Sequence, residues 1–219
     1  MMNPDRVLKA VRDGLALYDD VQAAAPRYPL EAVDEYENWF RGEFLAGLVS
    51  RLTIDKGHWK AEPGAVTVIG IAGRLAVDGC RAILTPVITH WLEHQYPKFW
   101  RAGIKYARMM NEVQGLPEPR PMDESDIAQI EILVTGEIAT QADHIDHHRR
   151  YIERNVAAGL TLGWTTERFM AAMTVPQGIV GYPFGNTRYS WRTHITRMIE
   201  GRSRAVMAAA AENRAMEGA

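Results

Sequence analysis

The sequence predicts a mostly α-helical protein, a multi-helix assembly with one long helix, a loop rich in proline and glycine, and a C-terminal helix. Apolar residues recur at intervals of three and four along most of the chain, which is the period of one helix face. Proline and glycine stand where such stretches begin and end. With 47% hydrophobic and 24% charged residues, the composition suits a packed globular core.

Two amphipathic helices are predicted before residue 50. The first starts at Asn3 and Pro4, which suit the N-cap and the first helical position. Its apolar face consists of Val7, Val11, Leu15 and Tyr18. The second opens at Pro29, and its apolar face consists of Val33, Tyr36, Phe40, Phe44 and Leu48. Turns are predicted at 55–57 and 62–64.

Two further helices are predicted between residues 65 and 115. The run 65–91 has one apolar seam in steps of three and four, although its start, 66–69, also suits a β-strand. The segment 97–115 is amphipathic and ends at Gly115. Beside its apolar stripe runs a basic stripe formed by Lys98, Arg101, Lys105 and Arg108. Cations at this spacing suit a phosphate backbone or an acidic partner, and equally a solvated helix face.

The segment 116–122 is the strongest linker in the chain. Its three alternating prolines forbid a helix and favour a stiff, extended connection. The predicted organisation is therefore an N-terminal helical region at 1–115, the proline linker at 116–122, and a C-terminal helical region at 123–219.

One long helix is predicted at about 123–158. Asp123 or Ser125 is its predicted N-cap, and Gly159 is its predicted end. Its acidic residues precede its basic ones, which complements the helix dipole. At a rise of 1.5 Å per residue, this helix would be about 50 Å long.

The last part of the chain combines a loop with an arginine-bearing helix. The segment 175–186, rich in proline and glycine, is predicted to be a structured loop such as a short hairpin. A final helix over about 187–217 carries Arg188, Arg192, Arg197, Arg202 and Arg204. Arginine favours bidentate contact with phosphate or carboxylate, so this row predicts binding to DNA or to an acidic protein. Pairing with the acidic first half of the long helix is the alternative.

The net charge, the single cysteine and the absence of several enzyme motifs limit the kinds of function that the sequence favours. The net charge of -2 argues against a wholly basic nucleic-acid binder, so a DNA contact would need a local patch. The single cysteine, Cys80, cannot form a disulfide within the chain and suits a reducing compartment. No run of about 18 uncharged apolar residues is present, so no membrane partner is expected. The sequence contains no phosphate-binding loop, nucleophile elbow or paired CxxC, so neither enzyme activity nor a cofactor is expected.

A histidine cluster at 143–148 suggests a hypothesis of a different class. His144 and His148 are four residues apart and share a helix face with the spacing of a two-histidine metal clamp, which would need a further ligand. A metal-binding helical enzyme or sensor that uses these two histidines is therefore an alternative. The simpler interpretation is a solvated polar helix face that carries His144, His147 and His148, and no metal site is predicted from it.

The order of elements over 96–208 is similar to that of a known family. An amphipathic segment that contains 103–107 is followed by a linker and a long helix, and then by the stretch NVAAGLTLGWTTE at 155–167. A loop and an arginine-bearing helix with WRTHITR at 191–197 complete the series. This order resembles that of the Mu F-like minor head proteins of tailed phages, also called phage head morphogenesis proteins. The chain differs from them at Met198 and Ile199, where the family has threonine and glutamate.

The resemblance implies a structural protein of a tailed-phage virion, associated with the portal and involved in head assembly or head-tail connection. It implies portal or other virion proteins as partners, contact with packaged DNA, a homo-oligomeric state, and assembly in the host cytoplasm. A head-to-tail adaptor ring protein is the nearest alternative. A helical DNA-binding regulator that uses the C-terminal arginines is a more distant one.

Overall fold

The chain is mostly α-helical in a computed structural model that describes residues 4–184 and 187–217, and this confirms the predicted fold class. The helices are α1 (Pro4–Ala23), α2 (Tyr28–Trp39), α3 (Leu45–Val49), α4 (Ala65–Gly79), α5 (Thr85–Gln114), α6 (Glu124–Leu162), α7 (Thr166–Met173), α8 (Trp191–Arg197) and α9 (Ser203–Glu217). Short π-helical turns lie at Phe40–Phe44, Cys80–Leu84 and Met198–Arg202. The strands are β1 (Thr53–Asp55), β2 (His58–Lys60), β3 (Thr174–Val175), β4 (Gly178–Phe184) and β5 (Thr187–Ser190). None of the described helices combines the length and the apolar character that crossing a bilayer requires.

The chain divides into two compact units. The first consists of Met1–Pro26, Thr89–Ile138 and Arg197–Ala219, and the second consists of Arg27–Ile88 and Ala139–Thr196. This division does not follow the expected boundary at 116–122, because that segment lies inside the first unit. Within this unit the Asn111 side chain of α5 donates to the carbonyl oxygen of Pro117 at 2.9 Å, which attaches the proline segment to the helix.

In the first unit, two glycines allow helices to approach closely. A Cβ atom on Gly14 of α1 would lie 2.2 Å from the Tyr106 ring of α5. A Cβ atom on Gly103 of α5 would lie 2.3 Å from the Met207 carbonyl oxygen of α9. Helix α5 is therefore central in this unit, and its large buried side chains include Trp91, Leu92, Tyr96, Phe99 and Trp100.

The apolar face predicted for α1 is wrong for two of its members. Tyr18 is buried as expected, but Val11 and Leu15 are exposed. Ala10 and Gly14 are buried instead, because the small side chains are the ones that permit close contact with α5. Helical spacing alone does not decide which of two adjacent faces turns inward, since both contain residues three and four apart.

In the second unit, aromatic side chains from α2 and its π-helical turn form much of the core. Tyr36, Phe40 and Phe44 are fully buried, and the rings of Phe40 and Phe44 stack with centroids 4.3 Å apart. Strands β1 and β2 pair in antiparallel fashion around the predicted turn at 55–57. Strands β3, β4 and β5 form a second antiparallel sheet in that order.

The region 65–114 is helical throughout, with one π-helical turn, where two separate helices were expected. The stretch 66–69 is part of α4 and not a strand.

Pro97 lies inside α5. A proline in a helix interior costs about 3 kcal/mol, but Tyr96 and Phe99 beside it are buried. Burial of these aromatic side chains offsets the local cost, so the helix continues past the position where the sequence predicts a start.

The long helix α6 extends further than predicted. Asp123 is its N-cap, since its Oδ1 accepts from the backbone N–H groups of Ser125 at 2.9 Å and Asp126 at 3.3 Å. Gly159 does not end the helix. The end is at Gly163, which has a left-handed φ of 61°, and the N–H of Trp164 donates to the Gly159 carbonyl at 2.9 Å. This is the hydrogen bond of a Schellman motif.

The loop predicted at 175–186 is largely a hairpin, as the sequence suggested, although 185–186 lie outside the described residues. The final helix begins at Trp191 and not at 187, because Thr187–Ser190 pairs with β4. Ser190 then acts as N-cap of α8, and its Oγ accepts from the Thr193 N–H at 3.0 Å.

Candidate functional site

The basic stripe predicted on 97–115 forms the solvent-facing edge of α5 in the first unit. All four of its cations are exposed, and we call them the basic edge: Lys98, Arg101, Lys105 and Arg108. The other residues from 99 to 107 are buried or half-buried: Phe99, Trp100, Ala102, Gly103, Ile104, Tyr106 and Ala107. This part of α5 therefore reaches solvent along a row of positive charge.

The two ends of the basic edge have partners within the chain. Lys98 donates to the Gln95 side-chain oxygen at 3.4 Å, and Arg108 forms an exposed ion pair with Glu118 at 2.9 Å. In the part of the chain that the structure describes, Arg101 and Lys105 form no ion pair. The ten steps along the helix from Lys98 to Arg108 correspond to about 15 Å at 1.5 Å per residue. This row can contact several phosphates or carboxylates of one partner at once.

The five arginines predicted as a second binding row do not lie in one unit. Arg188 and Arg192 belong to the second unit, and the other three belong to the first. Arg188 is exposed and donates to the Ala172 carbonyl oxygen at 3.2 Å. Arg192 forms an ion pair with Asp34 of α2. These two arginines therefore stabilise contacts around the hairpin and α2 within the second unit.

In the first unit, two of the arginines contact neighbouring helices. Arg202 forms an ion pair with Glu137 of α6 at 2.9 Å, and that carboxylate is buried. The guanidinium of Arg204 lies over the Tyr18 ring, 4.9 Å from its centroid. For Arg202 this is the predicted alternative, a pairing with the acidic first half of the long helix. Arg197 is exposed.

A buried charge network in the first unit involves an arginine that the sequence did not single out. Arg214 of α9 is fully buried and pairs with the buried carboxylate of Asp126 at 2.5 Å. Asp126 also accepts from the Trp100 indole N–H at 2.9 Å, from Arg120 at 3.0 Å and from the Asp123 backbone N–H at 2.9 Å. The carboxylate thus joins α5, the proline segment, α6 and α9.

The network holds Asp126 in its ionised form. Burial opposes ionisation, but the bonds from Arg214, the Asp123 backbone and Trp100 outweigh it and lower the pKa of Asp126 to about 2. The sequence could have indicated the contact between Asp123 and Asp126, because these two residues have the spacing of a capping box. It could not have indicated the pairing of Asp126 with Arg214, because these two residues are 88 positions apart.

In the structure, the two histidines of the predicted metal clamp have different hydrogen-bond partners. His148 is fully buried, and its Nε2 lies 2.6 Å from the Tyr36 hydroxyl. Burial, opposed by the Val180 backbone, lowers the pKa of His148 to about 3, so the ring is neutral. His147 is bonded through Nδ1 to the Asp143 carbonyl at 2.8 Å.

His144 pairs with a histidine that the sequence could not place beside it. Its Nδ1 lies 2.9 Å from Nε2 of His194, a residue of α8, and the two rings meet edge to face with centroids 4.0 Å apart. Gln141, one turn before His144, lies 3.0 Å from the same nitrogen of His194. Both histidines are half-buried. The group is a hydrogen-bonded contact between α6 and α8.

Among residues 4–184 and 187–217, no group of three or more His, Cys, Asp or Glu side chains converges in a way that could hold a metal ion. Cys80 is buried near Tyr36, and burial raises the pKa of its thiol to about 12, which leaves it protonated and unreactive at neutral pH.

A comparison of the chain with known protein families, with curated protein sequences and with solved structures finds no match.

Proposed function

We propose that this chain is a structural protein of a tailed-phage virion that binds at the portal and takes part in head assembly or head-tail connection. On this proposal the protein assembles with the portal or other virion proteins in the host cytoplasm, and packaged DNA is a second contact. The single observation that carries a binding role is the basic edge, a row of exposed cations on the solvent-facing side of α5.

The phage assignment is supported by the order and form of the elements that carry the resemblance. A central helix precedes the proline segment, the long helix α6 follows, and Gly163 and Thr165 separate it from the short helix α7. Thr165 is the N-cap of α7, with its Oγ accepting from the Arg168 N–H at 3.3 Å. A hairpin and the arginine-bearing α8 and α9 complete the order.

The geometry favours binding over chemistry at the residues that the sequence singled out. The histidine pair is held by mutual hydrogen bonds, and the buried Tyr36 and His148 bond to each other. By contrast, Arg101 and Lys105 project from the surface of the first unit and have no ion-pair partner among the described residues. An acidic protein surface would supply the missing counter-charges.

A charge-reversal experiment tests this role. The full chain is co-expressed with the portal and capsid proteins of the phage that is proposed to encode it, and the complex is isolated through a tag on the portal. We expect the wild-type chain to copurify, and the Arg101→Glu, Lys105→Glu double variant to be lost. The Lys56→Glu, Arg81→Glu variant, which reverses two exposed cations of the second unit, is the matched control and should copurify.

Two outcomes would contradict the proposal. One is a wild-type chain that binds neither the portal nor the capsid protein. The other is equal copurification of the two charge-reversed variants, which would remove the basic edge from the interface. The number of copies in the complex separates the alternatives: a closed ring that matches the portal symmetry indicates an adaptor, and a few copies indicate a minor head protein.

Contact with DNA at the basic edge would give a characteristic dependence of the affinity on salt concentration. If the basic edge binds duplex DNA, the affinity should fall steeply and log-linearly with salt concentration because counterions are released from the phosphates. The same double variant should reduce both the affinity and the salt slope. Binding that does not depend on salt would exclude a phosphate contact at these residues.

A further inference from the structure

Two exposed histidines of the first unit lie one helical turn apart on α5. The ring centroids of His90 and His94 are 3.9 Å apart, and the ring planes are inclined by 38°. Residues four positions apart lie on one face of a helix. The same spacing places two histidines of one helix on a single zinc ion in metalloproteases. The pair therefore has the arrangement of a two-histidine metal clamp.

A hydrogen bond determines which nitrogen of His94 is available to a metal ion. Its Nδ1 lies 2.8 Å from the backbone carbonyl oxygen of His90. A carbonyl oxygen only accepts, so Nδ1 donates the proton, and Nε2 of the neutral ring has the lone pair that can ligate a metal. Histidines that ligate metals in proteins donate their other ring nitrogen to a carbonyl or carboxylate in the same way. His94 thus has the orientation and the tautomer of a metal ligand.

The separation of the two rings suits a shared ion. A bond from zinc to an imidazole nitrogen is about 2.0–2.1 Å long, so two nitrogens on one ion are no more than about 4 Å apart. The centroid distance of 3.9 Å is close to this separation. Glu93, the residue before His94, is exposed and forms no ion pair in the described part of the chain. Its carboxylate adds negative charge beside the two rings, which favours a cation there.

The two ligands restrict the kind of ion. Imidazole nitrogen suits zinc, nickel and copper, whereas magnesium and calcium take oxygen ligands. Within residues 4–184 and 187–217, no third His, Cys, Asp or Glu side chain converges with these two to complete a metal site. An ion held by this pair would therefore keep its other coordination positions for water or for a ligand from outside the chain.

We propose that His90 and His94 bind one divalent transition-metal ion of the zinc, nickel and copper group. The ion links the two ends of the helical turn that lies before Pro97. Proline supplies no N–H to the carbonyl oxygen four residues earlier, which is that of Glu93, so α5 lacks one of its backbone hydrogen bonds here. The bound ion stabilises α5 beside this position. The site is independent of the proposed virion role, because the basic edge takes no part in it.

Zinc titration tests the site. Isothermal titration calorimetry of the untagged full chain with zinc chloride should show a saturable binding step. His90→Ala and His94→Ala should each weaken this step at least about tenfold, since even the loss of a hydrogen-bond partner of a ligating histidine has an effect of about that size. Both histidines are exposed and alanine favours a helix, so the circular dichroism spectrum should not change.

His58→Ala is the matched control for a single exposed histidine. The Nδ1 of His58 also lies 2.8 Å from a backbone carbonyl oxygen, that of Gly163, but His58 belongs to β2 and has no histidine four residues away. This variant should bind zinc like the wild type. The proposal is overturned if the His90→Ala, His94→Ala double variant keeps the wild-type affinity, or if His58→Ala loses as much affinity as His94→Ala.

Two further measurements test the clamp itself. An ion that binds only the folded chain raises Tm, so zinc should raise Tm of the wild type and of His58→Ala but not that of His94→Ala. With copper chloride, electron paramagnetic resonance should show the nitrogen splitting of two coordinated imidazoles in the wild type and of one in His94→Ala. An equal rise of Tm in the wild type and in His94→Ala, or a wild-type spectrum with a single coordinated imidazole, would contradict a clamp formed by both histidines.

Discussion

Each unit of this protein buries a hydrogen-bonded polar pair, and the two pairs have opposite ionisation states. In the first unit, Asp126 and Arg214 are both charged. In the second unit, Tyr36 and His148 are both neutral. All four side chains are buried, so burial alone does not decide whether a group keeps its charge.

The number and kind of donors around each group explain the difference. Asp126 receives hydrogen bonds from two guanidinium groups, an indole N–H and a backbone N–H, and together these replace the hydration that the carboxylate loses. His148 lies beside the Tyr36 hydroxyl among aromatic side chains, including Trp191, whose ring centroid is 5.6 Å away. A hydroxyl can donate to a neutral imidazole but does not compensate a buried imidazolium.

The largest predicted effect that tests this comparison is the loss of stability in acid that His148 causes. Its folded pKa of about 3 lies below the ordinary value of about 6.5, so the unfolded chain binds the proton more readily. The contribution of neutral His148 to the free energy of unfolding should therefore be complete above pH ~6.5 and should be lost as the pH drops toward 3. The total loss is about 5 kcal/mol, because each pKa unit corresponds to 1.36 kcal/mol. Urea unfolding of the wild type between pH 7 and 4 measures the slope.

The double variant Tyr36→Phe, His148→Leu is the control for the pH dependence that we attribute to His148. It replaces both polar partners by apolar groups, which avoids leaving one of them unsatisfied. Its stability should lose the component of the pH dependence that begins below 6.5. If wild type and double variant follow the same curve from pH 7 to 4, His148 is not the group that titrates.

Removal of the carboxylate charge in the first unit should have the next largest effect. Asp126→Asn leaves the buried Arg214 guanidinium without its counter-ion, and breaking such a pair on one side costs about 4 kcal/mol. Thermal and urea denaturation at pH 7 measure this loss. Glu131→Gln, which neutralises an exposed carboxylate on the same helix, should change the stability by less than about 0.5 kcal/mol. Equal stability of the two variants would show that the Asp126 network contributes little.

Protonation of the Asp126 carboxylate should reduce the stability in a second pH range, which lies below the range in which His148 titrates. Its folded pKa of about 2 lies below the ordinary value of about 3.9, so its contribution is present above pH ~4 and is lost as the pH falls toward 2. The loss should amount to about 2.5 kcal/mol, at about 1.36 kcal/mol per pKa unit. In the Asp126→Asn variant this acid step should be absent, and a step that persists there would assign it to other carboxylates.

The smallest effect concerns the hydroxyl that bonds to the buried imidazole. Tyr36→Phe removes that hydroxyl and leaves Nε2 of His148 without its 2.6 Å partner. The expected loss is between about 1 and 2 kcal/mol, because the buried acceptor remains desolvated. Tyr28→Phe, on the same helix and less buried, is the matched control and should lose less. A larger loss for Tyr28→Phe would contradict a special role for the Tyr36 bond.

Several features of the fold followed from local patterns. The helical class, the start of α6 at Asp123 and the turn at 55–57 depend on residues within a few positions of one another, so the sequence could predict them. The basic edge belongs to the same group, because four cations spaced by three and four residues must share a helix face wherever that helix lies.

The tertiary structure alone decided the rest. Whether α1 turns Val11 or Gly14 inward depends on the Tyr106 ring of α5, and the continuation of α5 through Pro97 depends on the burial of its neighbours. The partners His194 and Arg214 lie 50 and 88 residues from the side chains they contact. Periodicity indicates which residues share a face, but it does not determine what that face meets, since contacts between distant segments arise only when the whole core packs.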